Sequence, residues 1–297
     1  MTPAPLRALV VGYSWTEGRP VLRIRVEGEW KLREWPLRFR VRLVVTDERR
    51  CVGYADGTGL VPCPDKALPS GQQCKECERR DAFRPCMTCD GFRCPTLTLT
   101  PAMKKSCDRE HHMYLACFGQ PKLKVGTCSH RRRDQRIIEQ GPLAAARVAR
   151  GRGPLIKQIE TTLAGHEDFV ELMRRDRKAL LLHASMTEDE ARARIREIWQ
   201  TLKGRLPQDL ATLIHQPIFV HPPPLAQKAR GWPVVPMPVE AGTLIEGTLA
   251  GAIGHLVFLH EQDGRFALDM AALKTRIVEL DPPEGEGRKP TVQLGLF

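Results

Sequence analysis

The chain has 297 residues, 42% hydrophobic and 27% charged, a composition that fits a folded protein of two or three domains and excludes a disordered or fibrous one. No apolar run is long enough to span a membrane. The longest, Leu249 to Leu259, is broken by Gly251, Gly254 and His255, and the opening MTPAPLRALVVGYSW lacks the basic region and cleavage site of an export signal. The expected setting is therefore the cytoplasm, with no membrane partner. The formal net charge is +11, and it is unevenly placed: Pro121 to Lys157 holds ten Lys or Arg against two acids, Asp134 and Glu139. Such clustering points to a polyanion partner, DNA in the first instance and RNA in the second.

Taken in chain order, residues 1–50 read as a β region. RALVVGY, PVLRIRV and PLRFRVRLVV are rich in Val, Leu and Arg, and RFRVRLVV alternates basic and apolar residues at period two. Residues 51–111 form a Cys, Gly and Pro-rich segment with little apolar periodicity, which needs staples in place of a core. In residues 112–205 two short strands, MYLACF and LKVGTC, are joined by GQPK. A basic helix from His130 to Gln140 follows, stopped by Gly141-Pro142. Another helix starts after Gly153-Pro154 and carries LIKQIETTLAG, and helical periodicity runs from Asp168 to Lys203. Within it TEDE, Thr187 to Glu190, reads as a capping box. Residues 206–280 read as a C-terminal β domain with strands GTLIEGTLAG, GHLVFLH, FALDM and TRIVEL and a hairpin turn at EQDG. Residues 281–297 read as a flexible tail. The expected fold class is α+β.

Ten cysteines occur, none after Cys128, and seven lie between Cys51 and Cys94. In a reducing compartment such a cluster reads as a zinc framework. Cys74-x-x-Cys77 and Cys86-x-x-Cys89 are two tight turns, each placing two sulfurs on one side, and two such turns close one structural site. Cys51, Cys63, Cys94, Cys107 and His111 are further candidate ligands, enough for a second ion; spacing alone leaves the pairing and the number of ions, one or two, open. Cys117 and Cys128 fall in or beside strands and read as core residues.

The order CDREHHMYLA, LKVGT, Arg-rich helix, EQG resembles a prokaryotic cysteine-rich family without an assigned activity. More distantly, the same stretch resembles the GIY-YIG nuclease fold. There, two strands carry the GIY and YIG triplets about ten residues apart, a helix with an Arg follows, and a later helix carries a metal-binding Glu. Here the triplets correspond to His112-Met113-Tyr114 and Lys124-Val125-Gly126. The first keeps only its Tyr, and the second keeps only its Gly. The resemblance implies a general base in Tyr114 or Lys124, a phosphate clamp in Arg132 or Arg136, and a Mg²⁺ ligand in Glu160. Arg131, Arg132, Arg133, Arg136, Arg147 and Arg150 are the expected nucleic-acid contacts.

The last five residues, QLGLF, resemble the bacterial sliding-clamp-binding motif, with Gln293, Leu294, Leu296 and Phe297 at the matching positions and Gly295 in place of a Ser or Asp. Leu296 and Phe297 would fill an apolar pocket of the clamp, and the preceding tail would act as a tether. Together these features lead to the expectation of a clamp-tethered, Mg²⁺-dependent endonuclease of DNA repair or replication, associated with the nucleoid. The alternative is a non-catalytic zinc-containing adaptor of the same clamp.

Overall fold

The computed structural model describes residues 5–64, 66–94, 99–174, 185–229, 232, 236–261 and 264–281. The strands in chain order are β1 (Leu6–Thr16), β2 (Arg19–Val26), β3 (Leu32–Pro36), β4 (Arg40–Arg49), β5 (Tyr54–Ala55), β6 (Leu60–Val61), β7 (Glu110–Cys117), β8 (Leu123–Ser129), β9 (Ala144–Arg152), β10 (Phe169–Val170), β11 (Ile214–Val220), β12 (Leu244–Ile253), β13 (Leu256–Glu261), β14 (Gly264–Asp269) and β15 (Arg276–Leu280). The helices used below are α1 (Lys75–Arg80), α2 (Pro101–Asp108), α3 (Arg133–Gln140), α4 (Gly153–Ala164) and α5 (Glu188–Leu202). The fold is α+β, as the composition of the segments leads one to expect. Among the described residues no helix is long and apolar enough to cross a membrane.

The chain divides into two compact units. The first combines Met1–Tyr54, Leu60–Arg80 and Pro223–Phe297. Its body is an eight-stranded antiparallel sheet in the order β14-β13-β12-β4-β15-β1-β2-β3. Strands from the regions 1–50 and 206–280 pair in one sheet, in which β15 lies between β1 and β4. The physical reason is edge pairing: β15 supplies the ladder partner of both β1 and β4, whose facing edges would otherwise lie open, and Leu9, Val10, Leu43, Val45, Val278 and Leu280 are at most 2% exposed in the sheet so formed. Glu17 and Gly18 both have positive φ, 51° and 73°, as the tight two-residue turn between β1 and β2 requires. Pro36 lies on the edge strand β3, where its missing N–H breaks no central ladder.

The second unit comprises Ala55–Gly59 and Asp81–Pro222. Its five-stranded sheet has the order β10-β8-β7-β9-β11, with β10 parallel to β8 and the other pairs antiparallel. The boundaries expected at 111/112 and 205/206 therefore move, because α2 and β11 belong to this unit. Side chains alternate along β7. Met113, Leu115 and Cys117 point into a core with Ile156, Ile159 and Leu163 of α4 and Ile195, Ile198 and Leu202 of α5. Tyr114 and Ala116 point to the other face, with Cys128, Ala145 and Ile137 of α3. The basic helix is shorter than expected: His130–Arg132 is a 3-10 turn and α3 begins at Arg133. It ends where expected, on Gly141 at φ 68°. Helical structure from Asp168 is corrected to strand β10 at Phe169–Val170, and α5 begins with the expected Thr187/Glu190 capping box. Residues 293–297, the QLGLF segment, lie outside the described residues.

Candidate metal centre and nucleic-acid interface

Four thiols converge in the first unit. Cys51 follows β4, Cys63 follows β6, and Cys74 and Cys77 flank and enter α1. Their Sγ atoms all lie within 4.8 Å of one another, and Cys63 and Cys74 are 4.0 Å apart. A tetrahedral zinc with Zn–S bonds of about 2.3 Å separates its sulfurs by roughly 3.8 Å, so the four fit a zinc ion. The loops that carry them point backbone N–H groups at sulfur: the Gly53 and Cys74 amides donate to Cys51 Sγ at 3.4 and 3.1 Å. The Cys74 thiol is drawn down to about 7, chiefly by the Cys77 amide, toward the thiolate that a metal takes. Burial pushes the Cys63 and Cys77 thiols the other way, up, and buried Arg25 holds the Cys63 loop by donating to its carbonyl at 3.1 Å.

A second set gathers in the other unit. Burial, and then the neighbouring Cys107, Cys89 and Cys94, push the Cys86 thiol up to about 11. Cys86 and Cys89 bracket a 3-10 turn closed by the Cys89 amide on the Cys86 carbonyl at 3.3 Å. Cys107 lies on α2, whose first turn is capped by Thr100. Cys74 and Cys77 thus converge with Cys51 and Cys63, whereas Cys86 and Cys89 belong to the other unit, where Cys94 and Cys107 also lie. Among the described residues only the first four thiols form a group whose sulfurs all lie within 4.8 Å of one another. His111, expected among the ligands, directs its Nδ1–H to the Arg109 carbonyl at 3.0 Å. Cys117 and Cys128 are buried in the sheet core, as expected.

The residues carried over from the nuclease resemblance come to one neighbourhood. Tyr114 and Gly126 are cross-strand partners on β7 and β8, and the tyrosine ring lies over the glycine; a Cβ at Gly126 would stand 2.4 Å from the phenol oxygen. Burial raises the Tyr114 phenol, and the groups whose charge it feels include Arg136 and Glu160. Lys124 Nζ donates to the Glu171 carbonyl at 2.6 Å. Burial lowers the Lys124 amine, which feels Glu160, Arg136, Glu171 and Lys157 in turn. Glu160, on α4, is 6% exposed and paired with Lys157, which also meets Glu171 at 3.2 Å. Tyr114 as a lowered-pKa base is thus corrected: at 1% exposure its phenol is held protonated. Lys124 shifts in the direction that a base needs.

The arginines separate by partner. Arg132 donates to the buried Glu139 at 2.6 Å, and Arg147, largely buried, to Asp134 at 2.6 Å. Both are engaged within the fold, which corrects Arg147 as an open phosphate contact. Arg131, Arg136 and Arg150 are exposed, and Arg133 is half-buried. Glu110, His112 and His130 form a cluster that the sequence reading passed over. Its only local signal is the i, i+2 spacing of Glu110 and His112 on one strand face. Comparison with protein-family models, curated proteins and solved structures finds no match, so the residues above carry the functional reading.

Proposed function

We propose that this chain processes DNA as a zinc-braced phosphodiester hydrolase with a GIY-YIG-like site, brought to its substrate by the sliding clamp. The observation that carries the reading is the gathering of Lys124, Arg136 and Glu160 around buried Tyr114. Lys124, with its amine lowered by burial, accepts the proton of the attacking water as the new P–O bond forms. Arg136 neutralises the charge that builds on the phosphate oxygens while the P–O bond to the leaving oxygen breaks. The leaving oxygen takes its proton from water, and Tyr114, 1% exposed, supports the site from within the fold. Glu160 would hold Mg²⁺, which supplies further neutralisation of the phosphate. The cysteine sets brace the protein and take no part in the chemistry. Gln293, Leu294, Leu296 and Phe297 are the clamp contacts, and a Leu296→Ala/Phe297→Ala variant should lose clamp binding in a pull-down with the bacterial clamp.

One observation favours the second reading, a non-catalytic adaptor: Glu160 is already neutralised by Lys157. Incubation of the full chain with nicked and branched DNA and Mg²⁺ decides between them. Cleavage should fall about 100-fold or more in Lys124→Met and in Glu160→Ala. Cleavage that persists in both variants rejects the site, and DNA binding without cleavage in the wild type selects the adaptor.

A further inference from the structure

We propose that Glu110, His112 and His130 form a metal site separate from the thiols, of the open type with three protein ligands and a free position, suited to Zn²⁺. It is independent of the cysteine sets and of the hydrolysis reading. The sheet builds it. Glu110 and His112 share a face of β7 at i and i+2, and His130 follows β8, whose Cys128 is the cross-strand partner of His112. His112 Nε2 lies 3.0 Å from His130 Nδ1, His130 Nδ1 lies 2.6 Å from Glu110 Oε1, and His112 Nε2 lies 3.5 Å from the same oxygen. Three lone-pair atoms thus meet at one point. A tetrahedral zinc with bonds of about 2.0–2.1 Å spaces its ligands by roughly 3.3 Å, so small side-chain shifts admit the ion.

Protons alone satisfy this triangle poorly. If His130 carries its proton on Nδ1 and donates it to Glu110, His112 Nε2 must either bring a second proton to the same point or leave its proton on Nδ1. Nδ1 is buried without a hydrogen-bond partner. A cation at the centre takes all three lone pairs at once. Two imidazoles and one carboxylate select zinc-class ions over Mg²⁺. His112 is 6% exposed while His130 and Glu110 are open to solvent, so the protein closes one side and leaves the other for water or an anionic oxygen.

Arg133 is the built-in competitor. Its guanidinium donates to His130 Nε2 at 2.6 Å, which holds the ring proton on Nδ1, where the metal must bind. Loading moves that proton to Nε2 and releases Arg133. Together with Arg150, 3.5 Å from the other Glu110 oxygen, it then faces an anion on the open position.

The test is titration with Co²⁺ of full-length protein that keeps its thiolate-bound zinc and has been dialysed against a mild chelator to clear the Glu110/His112/His130 position. One further ion per chain should bind with weak visible absorption and no gain in thiolate-to-cobalt charge transfer. His130→Ala and Glu110→Gln, both at the surface, should weaken it at least about tenfold with unchanged circular dichroism, and Arg133→Gln should tighten it. The proposal fails if the only Co²⁺ taken up shows thiolate charge transfer, or if His130→Ala binds like the wild type.

Discussion

Tyr114 and Gly126 show what a single missing Cβ does. The ring is fully buried because its cross-strand neighbour has no side chain, and the phenol and Cζ stand 2.4 and 2.5 Å from where a Cβ would be. Gly126→Ala must therefore displace a packed aromatic, at a cost of about 1–3 kcal/mol. A urea unfolding midpoint unchanged by the substitution would show that the ring has room to move. This pair was legible in the sequence as one Tyr and one Gly at the right spacing. The depth of its burial was not, because it depends on Ile137 and Met173 arriving from elsewhere in the chain.

Among the elements, Asp168 ties three together. Its backbone carbonyl accepts from Leu123 at 2.9 Å at the start of β8. Its carboxylate accepts from Arg194 on α5 and from Arg205, each at 2.7 Å. Arg205, then Arg194, hold that carboxyl below its ordinary value. A depressed carboxyl stabilises the fold above its unfolded pKa, about 3.9, and loses that effect as pH falls through the lower folded value. Asp168→Asn should therefore cost about 1–2 kcal/mol at neutral pH. The gap from wild type should stay constant down to about pH 5 and close below about pH 4; a gap that widens in acid would contradict the assignment. Element type was readable where local rules agree with packing, as in the capping box of α5 and the left-handed stop at Gly141. It was not readable in β9, where AAARVAR favours helix on propensity. There Ala144, Ala145, Ala146 and Ala149 are buried strand residues, small enough for helices to close on both faces.

At the level of the whole molecule, Cys51, Cys63, Cys74 and Cys77 all belong to the unit formed by the chain ends, and this confines the effect of losing one of them. Metal analysis of the Cys74→Ser protein should find one zinc ion per chain fewer than in the wild type, because the set at Cys51, Cys63, Cys74 and Cys77 loses a ligand. The structural zinc contribution is large enough that the unit formed by the chain ends should then melt separately and earlier in calorimetry. A Cys74→Ser protein with the zinc content of the wild type would refute the grouping. Spacing could announce zinc but not its partition, because a Cys-x-x-Cys turn is local whereas its two remaining ligands are set by chain topology.

The position of β15 between β1 and β4 has a consequence for biosynthesis. A ribosome releases β1 to β4 first and cannot supply their missing neighbour until residue 280 has emerged, roughly ten to fifty seconds later at ordinary elongation rates. The intervening residues 81–222 hold a complete sheet of their own and can fold during that interval. The earliest strands, with their Val and Leu faces bare, wait as open edges of the kind that other nascent chains can join. The first unit thus depends on β15 to protect β1 and β4, and a premature stop between residues 222 and 276 would leave a finished unit attached to an unfinished, adhesive sheet.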